Sequence, residues 1–197
     1  PQKLYAHGQR QWGGFIPLYA AHSEKSWGAG NFSDWRELCD WIGATGAKVM
    51  GTLPVMSAFL EHPVCEPSPY SPASRLFWNE FFLDLTAVPE FRSSAAAQKL
   101  ANSAALQEKI EKLRAAEFDD YCDQWQVRKQ VLSILAKEFF SQSGPRTNAL
   151  RAFVRTRPEV MQYARFRAMC DATKKSWHTW NETAKAGNIS GTEFIEG

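Results

Sequence analysis

The sequence predicts an α/β fold in its first half and a helical region in its second half. Two short apolar runs flank an amphipathic stretch within residues 14–54, which indicates a strand, a helix and a second strand. From residue 93 onward, alanine-rich and helix-periodic sequence replaces this pattern. We therefore divide the chain into residues 1–92 and 93–197. This division fits a complete two-part domain, or the opening portion of a (β/α)₈ barrel with a helical insertion.

The first half is predicted to form a βαβ unit. Residues 14–19 form the first strand, and a helix is expected to begin near Asn31 to Ser33, either of which can cap it, and to end before Gly46. Residues 48–54 form the second strand, which is apolar on both faces as a covered parallel strand is. Such a crossover is right-handed. The predicted buried stripe of the helix consists of Trp35, Leu38, Trp41 and Ile42.

The remaining elements are one strand and several helices. Residues 81–85 form a third extended run, and strong helix propensity begins at Ser93. Aromatic and aliphatic residues at helical spacing predict a long amphipathic helix over residues 119–141. Further helices are expected over residues 146–156 and 159–173, separated by a proline. About three strands are too few for a closed eight-stranded barrel, so any barrel in this chain is incomplete.

Composition and cysteine spacing exclude several classes of protein. An apolar share of 44% with 22% charged residues is typical of a soluble globular protein. No apolar run is long enough for a membrane span and the N-terminus has no signal-peptide pattern, so we expect a cytoplasmic protein without a membrane partner. The cysteines have no metal-ligand or redox spacing, so reduced thiols are expected. These are Cys39, Cys65, Cys122 and Cys170.

Basic residues concentrate in the second half of the chain. Residues 1–90 carry 6 Lys and Arg against 9 Asp and Glu, whereas residues 91–197 carry 17 against 12. A cluster of arginines can bind nucleic acid. These arginines lie on more than one helical face, so we expect a solvated, internally paired surface and no nucleic-acid partner. The cluster consists of Arg146, Arg151, Arg155, Arg157, Arg165 and Arg167.

Motifs for several kinds of chemistry are missing from the sequence. There is no nucleophile elbow, and the four histidines are isolated, so neither a catalytic triad nor a metal site is predicted. Residues 27–31 are glycine-rich but lack the third glycine of a dinucleotide fingerprint and the lysine of a P-loop. Neither of these two nucleotide-binding motifs is therefore assigned to residues 27–31. Asp34 is assigned to the first turn of the first helix, and Asp119 with Asp120 to the cap of the long helix.

Residues 68–85 carry the most distinctive pattern of the chain. Pro69 and Pro72 fix the backbone on both sides of Tyr70, in a segment that we call the tyrosine loop (residues 68–72). Asn79 and Asp84 follow within an aromatic-rich stretch. A rigid loop with an exposed tyrosine suits a sugar ring, because the phenol offers an apolar face and a hydroxyl group. The same pattern also fits a packed turn that anchors a strand, and both interpretations stay open at this point.

Several segments, taken in order, match one known family. In the first half they are residues 14–19, 23–32, 53–54, 68–72 with Asn79, and 83–85. In the second half they are Asp120-Tyr121, Lys129, residues 163–168 and residues 177–180. Together they resemble the N-terminal region of the 4-α-glucanotransferases (amylomaltases or disproportionating enzymes) of glycoside hydrolase family 77. Asn31 stands where the family usually has aspartate, and Asn181 where it often has proline.

This resemblance implies a (β/α)₈ barrel in which residues 93–197 form a mostly helical insertion subdomain. It also implies retaining transfer of α-1,4-glucan segments between sugars, without a cofactor, and maltooligosaccharides or α-1,4-glucans as partners. Tyr70 corresponds to the family tyrosine that lies against the donor sugar, and Ser68 to a residue on the acceptor side of the scissile bond. Pro69 and Asn79 are expected to shape the loop.

The resemblance places the catalytic carboxylates on later strands, beyond the equivalent of Gly197. We therefore expect the remainder of the barrel after residue 197, no catalytic residue within the chain, and no activity from the fragment alone. Glu24 or Asp84 as a substitute nucleophile is a less favoured alternative. Two other classes stay open, a non-catalytic α-glucan-binding module and a helical protein-interaction domain that presents Tyr121 and Trp125.

Overall fold

The computed structural model of the chain describes residues 10–61, 63–185 and 187. In this part of the chain, two small two-stranded sheets precede a series of helices. This mixture of strands and helices confirms the predicted α/β class. Two of the four isolated histidines, His7 and His62, lie outside the described residues.

The predicted strand–helix–strand unit forms, with shorter strands than expected. Strand β1 (Gly13–Phe15) pairs in parallel with strand β2 (Val49–Gly51), and helix α1 (Phe32–Ala44) connects them. Asn31 caps α1 through its side-chain oxygen, and Gly46, with φ of +95°, follows the C-terminal end, both as predicted. We call β1, α1 and β2 the strand unit.

The outer surface of the strand unit is exposed, so the predicted burial is wrong. The Trp41 side chain is 65% exposed and Val49 is 51% exposed. Trp35, Leu38 and Ile42 are only half-buried. The sheet of β1 and β2 has no third strand among the described residues. Apolar side chains suited to a covered parallel sheet therefore face solvent.

The third extended run, predicted at residues 81–85, is also wrong. Two 3₁₀ turns, Glu80–Phe82 and Leu85–Ala87, occupy this segment. The side chain of Asn79 caps the first turn and that of Asp84 caps the second, each accepting hydrogen bonds from backbone N–H groups. Such local hydrogen bonds offer the backbone an alternative to strand pairing.

A β-hairpin that the sequence pattern does not predict stands directly before the tyrosine loop. Strand β3 (Phe59–Glu61) pairs antiparallel with strand β4 (Val64–Glu66). Each strand has three residues, too few for an alternating pattern to be recognised. The hairpin therefore cannot be recognised from the sequence and is identified only in the structure.

The second half is helical, as predicted. The helices in the described residues are α2 (Ala95–Ala101), α3 (Ala104–Ala115), α4 (Tyr121–Ser141), α5 (Pro145–Thr156), α6 (Glu159–Thr173) and α7 (Glu182–Lys185). The long helix α4 and the helices α5 and α6 begin and end within two residues of their predicted bounds. None of these described helices combines the length and the apolar character that a bilayer span requires.

Helix α4 belongs to two hydrophobic clusters. On one side, Ile110, Val131 and Leu135 are buried among α2, α3 and α4. On the other side, Trp125 packs with Phe81 and with residues of β3 and of the loop after β1. The helix thus connects the helical half of the chain to the loops that follow the strands.

The expectation of reduced thiols is wrong for two of the four cysteines. Cys65 on β4 and Cys122 in the first turn of α4 form a disulfide, with their Cα atoms 6.4 Å apart. This separation lies within the usual range for a disulfide. Cys39 and Cys170 are free. The bonded cysteines are 57 positions apart, so only the packing of the hairpin on α4 reveals the pair.

Candidate functional site

The loops that follow the two parallel strands form the candidate site. The 3₁₀ turn Leu18–Ala20 follows β1, and residues 53–56 follow β2. Both line a small cleft together with Pro67 and Pro69. The enclosed space is about 30 Å³, enough for only one or two water molecules, so a larger ligand has to lie on the surface of the cleft. The carboxyl ends of parallel strands are where α/β folds place their binding sites.

Tyr70 lies in a tight turn and presents its side chain to solvent, with 71% of the residue exposed. The backbone N–H of Ser71 donates to the carbonyl oxygen of Ser68 (3.1 Å). The N–H of Tyr70 donates to the Ser68 hydroxyl oxygen (3.3 Å). The N–H of Ser68 in turn donates to the carboxylate of Glu66 (3.0 Å). The turn is therefore held by its own hydrogen bonds and by its prolines, and the phenol ring stays available to a ligand.

Asn79 is buried and forms part of the lining of the cleft. Its side-chain oxygen accepts a hydrogen bond from the N–H of Phe81 (3.1 Å), and its own N–H donates to the carbonyl of Val55 (2.8 Å). Asn79 thus connects the aromatic stretch to the loop after β2. These contacts suit the loop-shaping role predicted for Asn79, as the position of Pro69 in the cleft wall suits its own.

The aromatic stretch between Tyr70 and Asn79 places its rings in opposite environments. Phe77 stacks on Tyr163 of α6, with ring centroids 4.3 Å apart. Trp78 is 67% exposed and rests against Phe32, with ring centroids 5.4 Å apart. Trp78 is therefore a second exposed aromatic group on this segment. Trp78 is not among the predicted site residues, although an aromatic residue next to a predicted loop is a usable signal.

The glycine-rich loop at residues 27–31 packs against α4. Gly28 has φ of +92°, and a Cβ atom there would lie 2.5 Å from the side chain of Gln124. The Gln124 amide oxygen accepts a hydrogen bond from the N–H of Ala29 (2.8 Å). Gly28 is thus required by its backbone conformation and by close packing, which are the usual structural reasons for a glycine.

Arg128 of α4 fixes the same loop from within the protein. It is buried, and its guanidinium group donates to the carbonyls of Ala29 (3.3 Å) and Leu83 (3.1 Å). The guanidinium also lies over the Phe81 ring, 4.9 Å from the centroid. Burial lowers the pKa of Arg128 to about 10, against the charges of nearby aspartates, so the group stays cationic at neutral pH.

None of the three acidic residues Glu24, Asp34 and Asp84 lines the cleft, and their surroundings differ. Asp34 is buried and accepts hydrogen bonds from the hydroxyls of Ser23 (2.6 Å) and Ser26 (2.8 Å). Partial burial would raise the pKa of Asp84, but hydrogen bonds led by that from the Thr86 hydroxyl lower it overall. Glu24 is exposed. The described lining of the cleft contains no Asp or Glu.

A cluster of charges around Glu61 braces the hairpin. The Glu61 carboxylate accepts hydrogen bonds from the Lys129 ammonium (2.6 Å) and the Trp125 indole N–H (2.6 Å), both on α4. Lys129 also pairs with Asp171 of α6 (2.9 Å). Partial burial would raise the pKa of Glu61, but hydrogen bonds from Lys129, Gln126 and Trp125 lower it to about 2. The hairpin is thereby joined to both helices.

Beside this cluster lies a larger cavity of about 280 Å³, between the hairpin and the C-terminal end of α6. Its wall contains Phe59, Val64 and Trp177 together with charged groups of the Glu61 cluster. In the described part of the chain, His, Cys, Asp and Glu side chains nowhere gather in a group of three that could hold a metal ion.

The sequence predicts that the arginines of the cluster are paired within the protein, and the structure shows ion pairs for two of them. Arg146 forms an ion pair with Glu90, and Arg167 pairs with Glu80 (3.0 Å). Arg157 lies over the ring of Phe153, 5.0 Å from its centroid. For Arg151, Arg155 and Arg165, no ion pair is found within residues 10–61, 63–185 and 187. Their solvated positions agree with the predicted surface.

Comparison with known proteins relates the chain to one family. Residues 16–192 match the family model of 4-alpha-glucanotransferase, glycoside hydrolase family 77. A curated 4-alpha-glucanotransferase of Mycobacterium tuberculosis (strain ATCC 25618 / H37Rv) is 29% identical over 208 residues, which cover 100% of this chain and 27% of that protein. One of Haemophilus influenzae is 31% identical over 137 residues, covering 68% of this chain and 19% of that protein.

A solved structure shares the fold. The amylomaltase from Corynebacterium glutamicum aligns with a TM-score of 0.70 at 22% sequence identity, over 90% of this chain and 25% of that one. The chain thus spans about a quarter of the length of the first curated relatives it matches.

Proposed function

Because the chain belongs to the 4-alpha-glucanotransferase family, we propose that it supplies part of the sugar-binding site of an enzyme that transfers α-1,4-glucan segments between sugars. The transfer proceeds by retaining double displacement, in which a carboxylate nucleophile forms a glycosyl-enzyme and a second carboxyl group acts as acid and then as base. The substrates are maltooligosaccharides or α-1,4-glucans, and the protein acts in the cytoplasm.

The exposed ring of Tyr70 is the observation that carries this proposal. A sugar ring presents C–H groups on one face, and an aromatic ring held by a rigid turn can stack against them. Pro69, which lines the cleft, and the hydrogen bonds around Ser68 hold the turn that presents this ring to solvent before any ligand arrives. A preformed ring reduces the entropy cost of binding. Tyr70 therefore contacts the donor sugar, and Ser68 lies on the acceptor side of the scissile bond.

The nucleophile and the acid/base come from outside residues 1–197. A retaining mechanism needs two carboxyl groups about 5–5.5 Å apart. The cleft lining among the described residues has no carboxylate, and Asp34 and Asp84 are engaged in hydrogen bonds to neighbouring groups. The 197-residue chain alone is therefore inactive in transfer.

The strand unit belongs to an incomplete (β/α)₈ barrel, into which residues 93–197 insert a mostly helical subdomain. The parallel pairing of β1 with β2 through α1 is the repeating step of such a barrel. The exposed side chains of Trp12, Phe15, Trp41 and Val49 support this assignment, since further strands and helices would cover them. The fold shared with the Corynebacterium glutamicum amylomaltase is a further support.

Substitution of Tyr70 in the full-length protein tests the proposal. Tyr70→Ala should lower kcat/KM for maltotriose disproportionation about ten- to a hundredfold, because it removes an aromatic contact to the sugar that binding would bury, worth about 1.5–3 kcal/mol. Released glucose is the readout. Phe118→Ala is the matched control, because Phe118 is also highly exposed, at 78%, but lies before α4 and outside the tyrosine loop. Equal rates for Tyr70→Ala and the wild type would remove Tyr70 from the site.

A further inference from the structure

The segment that leads into the tyrosine loop is tied covalently to helix α4. Cys65 lies on β4, three positions before Ser68, and Cys122 lies in the first turn of α4. Their disulfide has a Cα separation of 6.4 Å, which the backbone of both elements accommodates. The bond therefore connects the base of the tyrosine loop to the helix.

The helical end of this bond lies one residue from the wall of the candidate cleft. Tyr121, the neighbour of Cys122, lines the cleft and contacts Tyr19 and Phe81, with ring centroids 5.9 Å and 5.4 Å away. Cys122 is itself buried, at 5% exposure. The disulfide thus joins the loop that carries Tyr70 to a fixed part of the same cleft.

We propose that Cys65 and Cys122 are a redox modification site, which a low-molecular-weight disulfide oxidises and a thiol reduces, and which sets the order of the tyrosine loop. Its effect on sugar binding and its role as a reversible site in a reducing compartment rest on the proposed function, whereas the pairing of the two cysteines does not. Lasting structural disulfides are rare in reducing compartments, where cysteine pairs of this kind are transient or act as redox sensors.

The accessibility of the two sulfurs defines the order of the reaction. In the reduced protein the exposed Cys65 thiolate attacks one sulfur of the small disulfide, which forms a mixed disulfide and releases one thiol. The buried Cys122 thiolate then attacks the Cys65 sulfur and releases the second thiol. Two protein thiols are oxidised by two electrons, and one small disulfide is reduced to two thiols.

The two remaining cysteines are suited to be internal controls. Burial raises the pKa of the Cys170 thiol to about 11, with the charge of Asp171 adding to the effect. Burial and the charge of Asp40 raise the pKa of Cys39. A raised pKa lowers the fraction of reactive thiolate at a given pH, and neither thiol has a second cysteine with which to close an intramolecular disulfide. Each is free in the structure.

Reduction should loosen the tyrosine loop without detaching the hairpin. Glu61 on β3 keeps its hydrogen bonds to Lys129 and Trp125 when the disulfide opens. Strand β4 loses its covalent link to α4, and the loop that follows it gains conformational freedom. Ordering such a loop on binding costs affinity, so we expect a two- to tenfold weaker complex, on the order of one immobilised side chain.

Thiol mapping tests the modification without any sugar. The full-length protein is equilibrated with oxidised glutathione or with dithiothreitol, denatured, alkylated, digested and analysed by mass spectrometry. After oxidation we expect a linked peptide pair containing Cys65 and Cys122, with Cys39 and Cys170 alkylated. After reduction all four should be alkylated. Alkylation of Cys65 and Cys122 in the oxidised sample, or a different pairing, would overturn the proposal.

Maltotriose affinity tests the effect on the loop. Calorimetric titration should show two- to tenfold tighter binding to the oxidised form, and Cys65→Ser and Cys122→Ser should each abolish the difference between the two redox states. The control Cys39→Ser should keep it. If the wild type binds maltotriose equally well in both redox states while the linked peptide is present, the disulfide does not set the order of the tyrosine loop. Absence of binding in both states would instead overturn the proposed function, and the thiol mapping would still decide the modification.

Discussion

Apolar side chains are buried in the helices α2 to α4 but exposed in the strand unit. Ile110 and Val131, between α3 and α4, are completely buried. In the strand unit, Phe15 and Trp41 are each 65% exposed although their sequence pattern is just as apolar. The apolar side chains of α2 to α4 are therefore covered by contacts within the chain. The strand unit instead has an exposed apolar surface that is suited to further contacts. An apolar pattern in a sequence identifies a face to be covered, without identifying what covers it.

The candidate site lies where these two regions meet. Gln124 and Arg128 of α4 hold the loop at residues 27–31, and Glu61 ties the hairpin to the same helix. The rigid helical part thereby positions the loops at the ends of β1 and β2. If this division is right, substitutions in the two regions of the 197-residue chain should have very different effects.

The largest effect is expected from a cavity in the helical core. Ile110→Ala should lower the free energy of unfolding of the 197-residue chain by about 2–5 kcal/mol, because it removes a fully buried side chain that the close-packed neighbours cannot replace. Trp41→Ala, at an exposed position, should change it by about 0.5 kcal/mol or less. Urea denaturation followed by circular dichroism measures both. Similar losses for the two variants would contradict the division into a closed and an open region.

A slightly smaller effect is expected at the junction. Gly28→Ala should destabilise the chain by about 2–4 kcal/mol, because the new Cβ requires a left-handed backbone and meets the buried Gln124 side chain. Gly43→Ala is the matched control, since a Cβ there meets no atom within 4 Å and the residue lies in helix α1. That variant should be stabilised by about 0.5–1 kcal/mol. Stability of Gly28→Ala equal to the wild type would show that α4 does not fix the loop.

The smallest of the three effects depends on pH. Because the pKa of Glu61 is lowered in the fold to about 2 from 4.5, its contribution is complete above pH 4.5 and is lost as the pH falls toward 2. Glu61→Gln should cost about 1 kcal/mol at pH 7, after allowance for solvent screening, and less at pH 3. Unfolding curves of both proteins at pH 7 and pH 3 give the difference. If Glu61→Gln lowers the free energy of unfolding by the same amount at both pH values, the ionised carboxylate of Glu61 does not stabilise the hairpin.

Local signals in the sequence were enough for most helices. Asn31 and Gly46 marked the two ends of α1, and the spacing of Tyr121, Trp125 and Leu135 marked α4. Capping and periodicity act within a few residues, so the sequence displays them directly. The run at residues 81–85 failed because the side chains of neighbouring Asn79 and Asp84 bind the backbone and stabilise 3₁₀ turns, a competition that an apolar pattern does not show.

The candidate site was predictable only where it is local. The prolines around Tyr70 identified the tyrosine loop, and its exposed ring agrees with that interpretation. Glu61, Gln124 and Arg128 contact groups 64 to 99 positions away, and no pattern in one sequence reports such a distance. The pairing of Cys65 with Cys122 was missed for the same reason.

Amide hydrogen exchange of the full-length protein with and without maltotriose tests most directly whether the tyrosine loop binds sugar. We predict slower exchange on adding maltotriose in peptides that contain Ser68, Tyr70 and Ser71, because the sugar covers the turn and holds its hydrogen bonds closed. Peptides from the exposed segment around Phe118 should exchange at an unchanged rate. Protection that appears elsewhere while the tyrosine loop stays unaffected would contradict the account.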